Sequence, residues 1–232
     1  MKILAFDSTA TSMSVCLTED ERLLSLHVAN TGLTHSQTLL HAIEHILSQT
    51  SLSISDVDLF AFTAGPGSFT GVRIGAATVK GLAFAENKPC VEVSTLEALA
   101  EGLASFDGII CPVMNARRNQ VYTATFKSEG AKISRLTPDR AISISELEAE
   151  LIEMKPNHLY LCGDGYGITI EGFKEIKPND TPELLRYTNA YSVAVCAKRA
   201  YELGEAKDDK TITPTYLRPS QAERERNERK AD

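Results

Sequence analysis

At 232 residues the chain holds one large domain or two small ones, and it can bury enough surface to fold without disulfide or metal staples. A net charge of −7 and a pI near 5.3 exclude a protein that grips nucleic acid mainly by its phosphates, so any RNA has to be held largely by another subunit. The five cysteines, Cys16, Cys90, Cys111, Cys162 and Cys196, each stand alone in an apolar run, as small buried hydrophobes do in a reducing cytosol. The start of the chain lacks a signal-peptide pattern, and no run approaches the ~20 apolar residues that span a bilayer. A soluble cytoplasmic protein with no membrane association is expected.

In chain order, residues 2–7, 12–18 and 23–28 read as three short strands joined by tight polar turns, an antiparallel meander. Thr34 and Gln37 have the spacing of a capping box. Leu39, Leu40, Ile43, Ile46 and Leu47 then recur at helical spacing. The apolar run 57–63 is a strand ended by Gly65-Pro66-Gly67. A glycine-punctuated helix over 68–86, a strand over 90–94 and a helix over 95–104 follow. The order β-β-β-α-β-α-β-α specifies a mixed sheet covered by helices.

The second half restarts with strands at 108–115 and 120–127, a hairpin partner at 131–137, a helix from about 145, a strand at 158–162 and a helix at 190–204. Two α/β lobes are expected, 1–104 and a smaller 105–204. Beyond them lies a 205–232 tail whose charged end reads as frayed.

Gly65, Gly67, Gly71 and Gly75 around a strand end and helix start invite a nucleotide reading. The spacing fits neither the P-loop, which needs a Gly-Lys pair, nor the dinucleotide fingerprint. Gly65-Pro66-Gly67 is instead a forced turn, with Ser68 as helix cap. Gly71 and Gly75, four apart, make a bald stripe for close approach of a backbone, within the domain or from another chain. Arg73, Ala77 and Lys80 share a different face. His41, Glu44 and His45 match the H-x-x-E-H zinc signature, but no third ligand is evident and exposed helix positions are the simpler reading.

The segments ILAFDST (3–9), GPGSFTGVRIG (65–75), VSTLEALA (93–100), NARRNQVY (115–122) and PTYLRPSQAE (214–223) together resemble the bacterial TsaB (YeaZ) family of tRNA threonylcarbamoyladenosine biosynthesis. The resemblance implies the two-lobed, ribonuclease H-like α/β fold with mixed sheets shared by actin, Hsp70 and sugar kinases. It implies a non-catalytic partner of the related transferase TsaD, which modifies the adenosine beside the anticodon of ANN-decoding tRNAs. The ATPase TsaE, a second copy of the chain, and tRNA held through the complex are the other implied partners.

The family's contact surface implies helices 34–50 and 68–86, with Gly71, Arg73, Ile74, Gly75, Ala77, Thr78 and Lys80 as interface candidates. In nucleotide-binding members of the fold, phosphates sit at the end of the first strand. That makes Asp7, Ser8 and Thr9, with Gly163, Asp164 and Gly165, the candidates for a nucleotide site. Turns that close a hairpin and a strand-to-helix corner are the simpler reading of both. Asn115 stands where the family usually has Asp, and 94–99 holds no histidine where TsaD carries a metal motif. The implied chain has no catalytic residues, metal or required cofactor of its own; ATP or ADP could lie at the boundary with TsaD. An actin-fold ATPase or kinase is the alternative.

Overall fold

The structure, a computed structural model, describes residues 1–218, so the charged run of the tail lies outside the described residues. The first sheet has the order β3-β2-β1-β4-β5, formed by Lys2–Asp7 (β1), Met13–Glu19 (β2), Arg22–Ala29 (β3), Leu59–Gly65 (β4) and Cys90–Ser94 (β5). The first three strands run antiparallel, while β4 pairs parallel to β1 and β5 parallel to β4.

Both faces of β1 and β4 are buried, which is why these strands are unbroken apolar runs rather than alternating ones. One face packs Leu4, Phe6, Phe60 and Phe62 under helices α1 (His35–Thr50) and α2 (Phe69–Glu86). The other face packs Ile3, Ala5, Leu59 and Ala61 against a later helix.

Helix α3 (Thr95–Glu101) carries the chain to the second sheet, built on β6 (Gly108–Asn115). The strand expected over 120–127 is interrupted rather than absent. β7 (Gln120–Thr123) and β8 (Phe126–Glu129) share one register on β6, with Val113 facing Thr123 and Ile110 facing Phe126. The break at 124–125 occurs where the Thr125 N–H and hydroxyl turn to Thr137.

β9 (Lys132–Arg135) follows, then an edge strand, β10 (Arg140–Ser143), too polar and half-buried to show in the sequence. Helix α4 (Ile144–Met154) opens with a capping box of Ser143 and Glu146. The box expected at Thr34 is not made: the Thr34 hydroxyl donates to Gln37 Oε1 at 2.8 Å, and no side chain caps α1. β11 (Leu159–Cys162) pairs parallel to β6 and leads into the short α5 (Tyr166–Gly172), whose seven residues end in glycine and carried no periodic signal.

The last helix, α6 (Ala190–Glu202), belongs in space to the first lobe although chain order placed it in the second. Val193, Ala194, Cys196 and Ala197 supply the cover for the open face of the first sheet, so apolar burial overrides sequence order. A strap then returns across the first lobe: Lys207 exchanges backbone hydrogen bonds with Cys90, Ile212 is buried in the first core, and the Thr215 N–H reaches Ala64 O at 2.7 Å. Arg218 closes on the second lobe through Ala116 O.

Two measurements probe this packing. Glu148 is buried, and its Oε1 accepts the N–H groups of Lys174, Glu175 and Ile176 at 2.5, 2.7 and 3.2 Å. Desolvation pushes this carboxyl up, but the three donors and the Lys174 charge outweigh it and hold it below the ordinary value. A depressed folded-state value stabilises above the unfolded pKa of about 4.3, and the contribution is lost as pH falls through the folded one. Urea midpoints between pH 6 and 3 should therefore fall less steeply for Glu148→Gln, which should also cost roughly 2 kcal/mol at pH 7. All five cysteines are buried, and burial pushes the Cys16 and Cys111 thiols up to about 12. A disulfide exchange reagent should label no thiol in the native protein and five after denaturation.

Candidate functional site

The GPGSFTG segment forms the turn between β4 and α2. Gly65 takes φ +121°, and a Cβ there would lie 2.5 Å from Thr215 O of the strap. The Gly65–Pro66 bond is cis. Ser68 N–H donates to Thr9 O at 2.8 Å, and Ser68 Oγ accepts from the Gly71 N–H, capping α2.

The glycine stripe of α2 faces inward. A Cβ on Gly71 would sit 1.9 Å from Ser8 O, and one on Gly75 would sit 2.9 Å from Ser8 Oγ and 3.5 Å from the Phe62 ring. Ser8 Oγ donates in turn to Gly71 O at 2.9 Å. Gly71 and Gly75 are thus consumed by the β1–β2 turn: of the two alternatives the close approach is within the domain, which removes both from the interface candidates. The glycine of α2 that does face open space is Gly81. Around it, Arg73, Ala77 and Phe84 are exposed, whereas Ile74, Thr78 and Lys80 are half-buried.

Asp7, Ser8 and Thr9 are brought beside this turn but are sealed from solvent. Asp7 Oδ1 accepts the hydroxyls of Thr63 and Thr9 at 2.5 and 2.6 Å and the Thr9 N–H at 3.3 Å; Oδ2 is buried without a partner. Burial raises the Asp7 carboxyl above the ordinary carboxylate range, against the pull of both hydroxyls and of His35. Asp7 is thus a buried acid with one oxygen fully bonded and the other unpartnered.

Across the cleft, Gly163 (φ +102°) and Gly165 press on β6, each with Val113 O where a Cβ would go. Asp164 Oδ1 accepts the Asn115 N–H at 2.9 Å, and Asn115 Oδ1 accepts the Arg117 N–H at 2.8 Å. Desolvation raises the Asp164 carboxyl and the Asp7 charge adds to that, against the pull of the Asn115 N–H, although the residue as a whole is exposed at the rim of the cleft. Asn115 therefore closes a turn in which Arg117, Arg118 and Asn119 all take positive φ. The cleft they border, about 510 Å³, is lined by Thr11, Ser68, Thr70, Arg73, Asn115 and Arg117 among others.

One element of this cleft was not visible in the sequence. Tyr216 of the strap stacks on Phe69 at 4.9 Å between centroids and accepts a hydrogen bond from Arg73 Nε at 2.9 Å. The i, i+4 spacing of Phe69 and Arg73 was the only local signal; the third partner is 143 residues from Arg73. His41 and Glu44 are exposed on α1 with 3.5 Å between Nδ1 and Oε2, and His45 stands edge-on to His27. Among the described residues, no group of three or more metal-ligating side chains comes together.

The family described as TsaD, tRNA N6-adenosine threonylcarbamoyltransferase, matches residues 29–225. The tRNA threonylcarbamoyladenosine biosynthesis protein TsaB of Escherichia coli K12 is 30% identical over 168 residues, covering 72% of each chain. The chain belongs to the TsaB (YeaZ) family. TsaB of Bacillus subtilis 168 is 26% identical over 96% of each chain. The solved structure of YeaZ from Pseudomonas aeruginosa superposes with a TM-score of 0.78 at 25% identity, over 93% of this chain and 99% of that one. The fold is thus the two-lobed actin-like architecture expected from the motifs, and the TsaB family belongs to tRNA threonylcarbamoyladenosine biosynthesis.

The two classes of glycine in α2 separate by experiment. Gly71→Ala should destabilise the protein by about 3 kcal/mol or more, because the obstructing atom is backbone. Gly81→Ala should be neutral or stabilising by up to ~1 kcal/mol. Equal losses in thermal melts would refute the inward orientation.

Proposed function

We propose that this TsaB-family chain is a non-catalytic partner of a TsaD-type transferase in threonylcarbamoylation of ANN-decoding tRNAs, working in the cytoplasm. The observation that carries the reading is the outer face of α1 and α2, which lie side by side over one face of the first sheet. There Phe84 is 73% exposed, Leu40 is 52% exposed, and Gly81 leaves open space between Ala77 and Phe84 for a facing helix. Large apolar side chains left on the surface of an acidic protein mark a protein-binding face. Arg73, Ile74, Ala77, Thr78 and Lys80 border this surface or lie on the same helix; Gly71 and Gly75 support it from within.

The sealed Asp7 favours this reading over an ATPase or kinase acting alone. The chain requires no cofactor of its own. A nucleotide, where one is used, belongs at the boundary with TsaD, and the TsaE ATPase and tRNA act through that assembly.

Purified alone, the protein should neither hydrolyse ATP nor modify tRNA; with TsaD, TsaE and threonylcarbamoyl-adenylate it should support modification. Turnover of ATP by the isolated chain would overturn the proposal. Phe84→Asp, at an exposed position, should weaken TsaD binding at least tenfold, about 1.4 kcal/mol, with an unchanged melting temperature. Unaltered affinity would move the interface elsewhere.

A further inference from the structure

We propose that the returning strap, residues 212–218, is a latch whose second half sets how far the cleft between the lobes can open. The latch works in the isolated chain and does not depend on what docks on the α1/α2 face.

The chain passes between the lobes at three places. Two of them, 101–108 after α3 and 187–190 before α6, adjoin helices that pack on each other, so they hold the lobes together as a hinge. The third is the strap.

Its two ends are anchored unequally. On the first lobe Ile212 is fully buried, the Thr213 N–H donates to Glu92, and the Thr215 N–H donates to Ala64 O at 2.7 Å. Gly65 is shaped around this half, since Thr215 O fills the place of a Cβ. On the second lobe the hold is slighter. Leu217 packs half-buried against the cluster that contains Met114 and Tyr122. Arg218 gives Ala116 O a single bond at 3.2 Å, the one hydrogen bond from the strap to the second lobe among the described residues. Segments with few buried contacts and few hydrogen bonds are the first to open locally.

The position of residues 216–218 gives that opening a consequence. Ala116 lines the cleft of about 510 Å³ together with Asn115 and Arg117, and Phe69 and Arg73 line it from the first lobe. Tyr216 lies on these last two. Its ring is 12° from parallel with Phe69, and its hydroxyl accepts from Arg73 Nε. The Arg73 guanidinium stands 6.0 and 5.7 Å from the centroids of Phe69 and Tyr216. Residues 216–218 therefore bridge the two walls of the cleft. While they are seated, the walls separate only by breaking the stack, the Leu217 packing or the Arg218 bond. Once they lift, residues 212–215 stay in place and the hinge alone holds the lobes. The strap is a two-state element rather than a permanent seam.

Double electron–electron resonance between nitroxides at Ser48→Cys on α1 and Glu153→Cys on α4 reads the separation of the lobes. Both positions are exposed, and the five native thiols are buried. The doubly labelled parent should give one narrow distance distribution. Adding Tyr216→Ala, Leu217→Ala and Arg218→Ala together should raise the longer-distance fraction about tenfold, with unchanged circular dichroism. Tyr216→Phe, which keeps the ring, should retain the parent distribution, and so should Leu203→Ala, exposed ahead of the latch. A triple variant with the parent distribution would overturn the proposal, as would a Leu203→Ala protein that broadens equally. Should the triple variant unfold, Arg218→Ala alone decides, because it removes the bond to Ala116 without opening a core. Broadening in the same direction is expected, and a parent-like distribution would again overturn the latch. Failure of TsaD binding touches only the proposed function, because these readouts need no partner protein.

Discussion

The Ser8 carbonyl oxygen occupies the space that a side chain at position 71 would need, and much of the first lobe follows from that contact. It brings the first turn of α2 onto the β1–β2 turn closely enough for Ser8 Oγ to bond Gly71 O and for Thr9 O to receive the Ser68 N–H. Three backbone groups are thereby satisfied away from water, which offsets the conformational cost of helical glycine. Once α2 is seated, its opposite side is committed to the surface. The exposed Ala77, Gly81 and Phe84 are the geometric complement of the buried Gly71, Gly75 and Val79.

The same contact decides the chemistry of the cleft. With α2 pressed onto residues 8 and 9, the end of β1 is roofed over, and Asp7 is left with a filled Oδ1 and a dry Oδ2. The hydroxyls of Thr9 and Thr63 and the Thr9 N–H are what Oδ1 accepts. Opposite, Asn115 spends its side chain on the Arg117 N–H. What is left open is the rim, where Arg73, Tyr216 and Phe69 stack beside the three left-handed residues 117–119.

The sequence exposed those features whose cause is local. The meander, the α2 cap at Ser68 and the last helix, expected over 190–204 and found at Ala190–Glu202, could be read from turn chemistry and periodicity. So could the glycines' need for a close neighbour. The identity of that neighbour could not, because Ser8 lies 63 residues from Gly71 and a glycine pattern records an absence without naming what fills it. The assignment of α6 to the second lobe failed for a related reason. Its apolar stripe of Val193, Ala194, Cys196 and Ala197 would suit any flat apolar sheet, and nothing local says which of two sheets lacks a cover. The Phe69–Tyr216 stack and the partner of Glu148 were likewise hidden by long-range pairing, whereas the TsaB-type motifs remained legible because each is a contiguous string.

The return of α6 also bears on how the chain is made. Ile3, Ala5, Leu59, Ala61 and Val91 are among the earlier parts to leave a ribosome, yet the helix that shields their face begins only at residue 190. A nascent chain must therefore carry a bare apolar sheet face while the whole second lobe is being translated, a delay of about 5–20 s at ordinary elongation rates. During that interval the first lobe is a client for any holding factor that recognises exposed aliphatic strands, and its maturation is timed by the arrival of α6 rather than by its own residues.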